Sequence, residues 1–379
     1  MDDVYKQSLE LHKKHHGKIE IVTKVPLTSR AELSLAYTPG VAEVSREIGR
    51  DADLAYEYTI KGNTVAIVSD GSAILGLGNL GAHAAIPVME GKAAIFKEFA
   101  GIDAFPICVN TQDVEEIIAL VKNIAPVFGG INLEDISAPR CFEIEERLRA
   151  ELPIPIMHDD QHGTATVVLA GLINALKLRG SKKEEVQVVM SGAGAAGTAI
   201  TKLLLAYGFK HFVICDTKGA IFAGRADLNT EKETLARMTN TDKKMGTLAE
   251  VLHDADIFIG VSKGGLLTSE MVCTMAERPI IFALANPIPE IMPDVAKEAG
   301  AFVVATGRSD FPNQINNSLA FPGIFRGALD HRIKQFNEEM FIRAAEALAQ
   351  YVVDPKPDQL LPAQFDKGVV GVVKNTIRE

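Results

Sequence analysis

The sequence predicts an α/β protein of two domains, the second built on a doubly wound parallel sheet and the first a smaller mixed α/β unit. Three observations lead there. The chain has 379 residues, more than the roughly 250–300 at which single cores stop growing. From about residue 163 onward, short apolar runs alternate with stretches of helical period, the pattern of a parallel sheet covered on both faces. The first half mixes the same elements less regularly.

In chain order, apolar runs mark strands at Thr64–Ser69, Ala104–Val109 and Pro153–Met157, and helical period marks about 87–99, 112–124 and 139–150. Pro87 is expected to start the first of these helices, where its fixed φ and missing N–H are tolerated. Ser137, in Asp135-Ile136-Ser137-Ala138-Pro139, is expected to cap the third. Around His158–Gly163 a proline-rich extended segment gives way to a long apolar helix, Thr164–Leu178, so the domains are drawn as 1–160 and 161–379. Strands follow at 186–191, 211–216, 256–261, 280–285 and 301–305, with a helix at Ala195–Tyr207. An amphipathic helix, Glu338–Tyr351, and the stretch Asp354-Pro355-Lys356-Pro357 end the chain; their packing is not readable.

Composition excludes several classes of function. A formal charge of −10 with no basic tract argues against nucleic acid. No apolar run approaches the ~20 residues of a membrane span, and Met1-Asp2-Asp3-Val4-Tyr5-Lys6 lacks the order of a signal peptide. The expected location is the cytoplasm. Cys108, Cys141, Cys215 and Cys273 are widely spaced, which opposes a disulfide framework or thiolate zinc site, and they read as small buried hydrophobes.

Gly192-Ala193-Gly194-Ala195-Ala196-Gly197 follows a strand, opens a helix, and precedes a second strand ending in Asp216, nineteen residues past Gly197. Those parts together form a Rossmann-type dinucleotide fingerprint. Gly192 allows the tight turn, Gly194 the approach of a pyrophosphate, and Gly197 close helix-to-strand packing. Asp216 is expected to accept ribose hydroxyls and repel a 2′-phosphate, favouring NAD; Lys218 keeps NADP possible. A second match, Gly76–Gly81, lacks the surrounding strand, helix and acid, and reads as a loop shaping a substrate pocket.

Two acidic pairs end apolar segments: Glu134-Asp135 after Val127–Leu133, and Asp159-Asp160 after Ile154–Met157. Three of these four carboxylates could share a Mg²⁺ or Mn²⁺ ion, the alternative being helix caps and solvated loop acids. His158 and His162 lack the glutamate of a metalloprotease helix and read as supporting or structural. Lys92 sits among small and apolar neighbours, where burial, a helix N-terminus and a nearby cation would depress its pKa and make it a usable base. Tyr37 precedes a turn that opens a helix, and its hydroxyl is expected at a pocket edge.

Taken together, these ordered motifs resemble the malic enzymes in their short bacterial form. The resemblance runs from Tyr37-Thr38-Pro39-Gly40 through Ser69-Asp70-Gly71, Gly76–Gly81, Glu134-Asp135, His158–Ala165, Gly192–Gly197 and Phe282–Pro287 to Asn316-Asn317 before Phe321-Pro322-Gly323. It implies Glu134, Asp135 and Asp160 as metal ligands, Lys92 as general base, Tyr37 as general acid, and Asp159 as a partner of Lys92 or of the substrate. Asn286 and Asn317 become substrate or nicotinamide contacts. The implied reaction converts L-malate to pyruvate and CO₂ with NAD, NADP being possible, and Mg²⁺ or Mn²⁺, in a homodimer. Larger members carry a substrate-gripping arginine where this chain has Ala73, so carboxylate recognition here is arranged differently. Rival readings are an oxaloacetate decarboxylase without net hydride transfer, an amino-acid dehydrogenase, and a non-catalytic NAD-sensing module.

Overall fold

The structure is a computed structural model that describes residues 2–379. Four parallel strands form the first sheet: β1 (Thr64–Ser69), β2 (Asp103–Cys108), β3 (Gly130–Leu133) and β4 (Ile156–His158), in the order β2-β1-β3-β4. The second sheet holds β5 (Gln187–Ser191), β6 (His211–Asp216), β7 (Gly219–Ala220), β8 (Ile257–Gly260), β9 (Ile280–Ala283) and β10 (Val303–Thr306). Its order is β10-β9-β8-β5-β6-β7, parallel except for the short antiparallel β7. The order reverses at β5 and β8, so the crevice beyond their carboxyl ends is where an open α/β sheet takes its ligand.

Both sheets are buried on two faces, and alternation along each strand explains why the runs are continuously apolar. Val188 and Met190 enter one core with Ile214 and Ile259, while Val189 enters another with Val213, Phe258 and Ile281. In the first sheet Val65 and Ile67 face the same side as that first core, and Ala66 and Val68 face the opposite one.

The helices among the described residues up to the dinucleotide turn are α1 (Asp2–His15), α2 (Arg30–Ala36), α3 (Val41–Arg50), α4 (Ala55–Tyr58), α5 (Ala82–Ala100), α6 (Val114–Ile124), α7 (Arg140–Glu151), α8 (Asp159–Arg179) and α9 (Ala195–Tyr207). Three expectations are corrected here. Helix α5 begins at Ala82, so Pro87 lies inside it rather than at its start; it removes one N–H from the ladder, and the Lys18 ammonium caps the Pro87 carbonyl from outside at 2.7 Å. Helix α7 is preceded by Pro139, and the Ser137 hydroxyl accepts from Arg140 at 3.0 Å instead of capping. Helix α8 starts at Asp159, five residues before Thr164, because two carboxylates suit the positive end of a helix.

The tail, illegible in sequence, returns to the first domain. Phe365 stacks edge-on against Phe99 of α5 at a centroid distance of 6.1 Å, beside the preceding helix Phe321–Asp330, whose Phe321 and Phe325 stack against Phe96 at 4.7 and 5.4 Å. Cys141 and Cys215 are buried as expected, but Cys108 is half-buried and Cys273 is exposed. Cys273 ends a short helix, and its thiol reaches only the Ala299 carbonyl. Among the described residues no helix is long and apolar enough to cross a membrane.

Candidate active site

A cleft of about 500 Å³ opens between the carboxyl ends of the two sheets. Its lining brings together Lys92, Glu134, Asp135, Asp160, Asn286 and Asn317, all expected from sequence. Ala73, Leu75 and Gly76 form one wall, so the second glycine-rich loop does shape this cleft. It meets the opposite domain directly: a Cβ on Gly76 would lie 2.7 Å from the Asn286 carbonyl oxygen, and Gly76 has φ +75°. Tyr37 is not in the lining; it sits at the end of α2, two-thirds exposed.

The carboxylates arrive by two routes. Glu134 and Asp135 follow β3, and Asp159 and Asp160 open α8 after β4. Lys92, in the middle of α5, is buried beneath them. Its ammonium pairs with Asp159 Oδ2 at 2.5 Å and with Glu134 Oε2, and lies 4.5 Å from the centroid of the Phe321 ring. Asn132, one turn of the pleat before Glu134 and therefore on the same face, donates to Glu134 Oε2 at 2.9 Å. That alternation was a signal in the sequence, where a polar residue interrupts an apolar strand.

The expected pKa depression of Lys92 is overturned for the metal-free chain. Burial opposes its charge, but Asp159, Glu134 and Asp160 outweigh burial and hold the ammonium above the usual lysine value. The helix N-terminus is ten residues away and does not act on it. Burial, then the charges of Asp160 and Glu134, push the Asp135 carboxyl up to about 8. Burial likewise raises Asp159 to about 6 against the pull of Lys92.

Asp135 adopts φ +53°, a left-handed backbone that Asp tolerates better than most non-glycine residues. Its N–H donates to Asp160 Oδ2 at 3.0 Å, tying the two acidic pairs together. Among the described residues no three His, Cys, Asp or Glu side chains converge tightly enough to form a ready metal cage, because Glu134 is turned toward Lys92. Yet Asp135 Oδ2, Asp159 Oδ1 and Asn132 Oδ1 are buried without a hydrogen-bond partner. Buried oxygens of that kind ask for a cation or donor, and an all-oxygen set fits Mg²⁺ or Mn²⁺.

Glu145, from α7, steadies this corner. Its buried carboxylate accepts from the His158 N–H at 3.1 Å, Gln161 at 3.0 Å and His162 at 2.9 Å, and His162 stacks on Phe341. His162 is thus held between Glu145 and Phe341.

The dinucleotide turn has the shape its glycines require. Gly192 has φ +115°, and a Cβ on Gly197 would lie 2.0 Å from the Gly192 carbonyl oxygen, so α9 packs onto the turn only without a side chain. A Cβ on Gly194 would meet nothing within 4 Å, which leaves that edge open to a phosphate group.

Asp216 ends β6, as its place in the sequence implies, and its carboxylate is partnered within the chain. Both of its oxygens are already engaged: Oδ1 by the Lys218 N–H and Arg225, and Oδ2 by Arg225 and by Lys232 at 2.6 Å. Burial opposes the charge, but Arg225 and Lys232 outweigh it and hold the carboxyl well below the usual range. Lys218 pairs with Asp227 at 2.9 Å. Sequence gave no sign of Arg225, which the β6-to-β7 hairpin folds back onto Asp216.

A glycine-rich dinucleotide turn facing a buried lysine and four carboxylates across an interdomain cleft defines a two-domain, dinucleotide-dependent dehydrogenase. Comparison with known proteins narrows the class. Residues 16–149 match the model of the malic enzyme N-terminal domain, and residues 161–367 that of the malic enzyme NAD binding domain. The chain is 58% identical over 374 residues to a bifunctional malic/malolactic enzyme of Bacillus subtilis, covering 98% of this chain and 91% of that protein. It is 56% identical to an NAD-dependent malic enzyme of Geobacillus stearothermophilus, covering 96% and 76%. The crystal structure of an NAD-dependent malic enzyme from Thermotoga maritima superposes with a TM-score of 0.95 at 51% identity, covering 97% of this chain and 98% of that one. The chain belongs to the malic enzyme family.

Proposed function

We propose that this protein oxidatively decarboxylates L-malate to pyruvate and CO₂ with reduction of NAD(P). The observation that carries the reading is the buried Lys92, paired with Asp159 and Glu134 at the cleft wall facing Asn286 and Asn317. Residues 1–160 would supply the substrate and metal side of the cleft and 161–379 the nucleotide side. Glu134, Asp135 and Asp160 would hold a Mg²⁺ or Mn²⁺ ion, and Gly192, Gly194 and Gly197 the nucleotide's pyrophosphate. When bound, the cation supplies a Lewis acid and the nicotinamide a hydride acceptor.

Lys92 first releases its own proton to solvent and then, as the neutral amine, takes the proton of the C2 hydroxyl. It can do so only when Glu134 turns from the ammonium to serve as a ligand, which leaves Asp159 as its carboxylate partner and weakens the hold on its proton. Asn286 and Asn317 orient the substrate with neutral amides, in keeping with Ala73 where larger relatives have arginine. Val88, Ile95 and Phe321 keep the site apolar around the reacting carbons. After the β-carboxylate leaves as CO₂, Tyr37 protonates C3.

Because Tyr37 stands outside the cleft of its own chain, the proposal includes a cytoplasmic homodimer in which Tyr37 serves the partner's site. Support comes from α2 and α3, which bury no residue, and from Leu33, Leu35, Val41 and Val44, all exposed along the same arm. Such an apolar surface suits a second copy of the chain.

The test is initial-rate reduction of NAD and NADP by L-malate, with and without Mn²⁺, following pyruvate in the same reaction. Metal-dependent reduction with equimolar pyruvate is expected. Loss of added oxaloacetate without any nucleotide reduction would replace this reading with the decarboxylase.

We propose NAD as the preferred nucleotide, with weak discrimination, since Asp216 keeps its negative charge but shares it with two cations. Asp216→Ala removes the carboxylate that pairs with Lys232 and leaves Arg225 with Asp227 alone, so more positive charge faces the ribose. The ratio of kcat/KM for NADP to that for NAD should then rise about tenfold or more. An unchanged ratio would mean that Asp216 does not set the choice.

A further inference from the structure

We infer that Glu290 is a positioning residue for the nicotinamide end of the cleft, clamping together the loops that follow β8 and β9. The inference rests on the dinucleotide-dependent reading above and concerns a residue to which neither the sequence motifs nor the proposed chemistry gives a role.

Glu290 is wholly buried. Its Oε1 accepts from the Ser262 N–H at 3.0 Å, in the loop after β8, and its Oε2 from the Ala285 N–H at 3.0 Å, in the loop after β9. A carboxylate is costly to bury unless satisfied. Burial raises this one above its usual range, and the two N–H groups draw it back. The backbone reinforces the clamp, with Leu267 N–H donating to the Glu290 carbonyl at 2.9 Å and Gly265 N–H to that of Pro289 at 3.0 Å. The side chain crosses directly over the end of β8: a Cβ on Gly260 would lie 2.3 Å from the Glu290 carboxyl carbon.

The clamp extends one strand further. The Ser262 hydroxyl is 2.9 Å from that of Ser191, the last residue of β5 and the one before Gly192. The carboxylate therefore ties the ends of β8 and β9, which lie on the far side of the switch point from β6, and reaches the end of β5 only through Ser262. Val261, Ser262, Ala285 and Asn286, all beside Glu290's contacts, line the cleft. The adenosine side, at Asp216 on β6, is not part of this network. A loosened clamp should thus weaken contact with the nicotinamide and spare the rest of the nucleotide.

Glu290→Gln separates these effects, since its amide offers one acceptor where two N–H groups need one each. Its NADH dissociation constant, read by fluorescence titration, should rise about tenfold, while that for ADP-ribose, the same ligand without nicotinamide, should stay within about twofold. Equal weakening of both, or of neither, would overturn the proposal. If Glu290→Gln fails to fold, Glu290→Asp carries the same test, keeping the charge but reaching at most one of the loops. Malate turnover by the unaltered protein is measured alongside: its absence would count against the proposed reaction, whereas the NADH to ADP-ribose comparison bears on Glu290 alone.

Discussion

Asp135→Asn should lower Mn²⁺-dependent malate turnover by about a hundredfold or more, while NADH binding survives. The side chain is buried and has one oxygen without a partner. The same substitution should change how stability depends on pH. In the metal-free protein the Asp135 carboxyl is raised from its ordinary 3.8 to about 8. The native state therefore binds more protons than the unfolded chain between about pH 4 and 8, and stability falls as pH rises through that window. Asparagine carries no such proton. At pH 8 and without metal, the variant should melt at or above the temperature of the unaltered protein. Added Mn²⁺ should then raise the melting temperature of the unaltered protein but not that of the variant. Near-normal Mn²⁺-dependent turnover in Asp135→Asn would remove this residue from the proposed ligands.

What the sequence disclosed about this site depends on how local each signal was. Strand β6 and helix α9 match the expected 211–216 and 195–207 residue for residue, because apolar runs there are bounded by glycine. The carboxylates were visible as pairs at the ends of apolar runs, and Lys92 as a lysine among small neighbours, yet their charges act on one another only after β3, β4 and α5 meet. This is why the Lys92 shift in the metal-free chain has the opposite sign from the one its sequence surroundings imply: its neighbours in sequence are apolar, and its neighbours in space are Asp159 and Glu134. Asp216 shows the same limit. Its position at a strand end was legible, but Arg225 and Lys232 reach it from nine and sixteen residues away through a hairpin and a helix. Glu290 had no local signature, since its partners are main-chain groups, Ser262 in the loop after β8 and Ala285 five residues before it in its own loop.

Tyr37 carries the second large effect, and a mixing experiment resolves it. Tyr37→Phe removes the proposed proton donor and Lys92→Ala the proposed base, so each variant alone should lose about 10²-fold or more of malate turnover. In Tyr37→Phe the loss should fall on ketonisation of the enol product more than on hydride transfer, a division read by assaying the two half-reactions separately. If each site takes Lys92 from one subunit and Tyr37 from the other, a mixed dimer of the two variants contains one whole site and one doubly deficient site. Unfolding and refolding the variants together in equal amounts should then restore roughly a quarter of full activity, because half of the dimers are mixed and half of their sites are whole. If Tyr37 served its own chain, both sites of every mixed dimer would be defective, and mixing would restore nothing. The exposed arm favours the first outcome on physical grounds: α2 and α3 bury no side chain, so in an isolated chain little holds the Tyr37 hydroxyl in place. A partner's surface would bury that arm and orient the hydroxyl together, making assembly of the dimer a condition for completing the site.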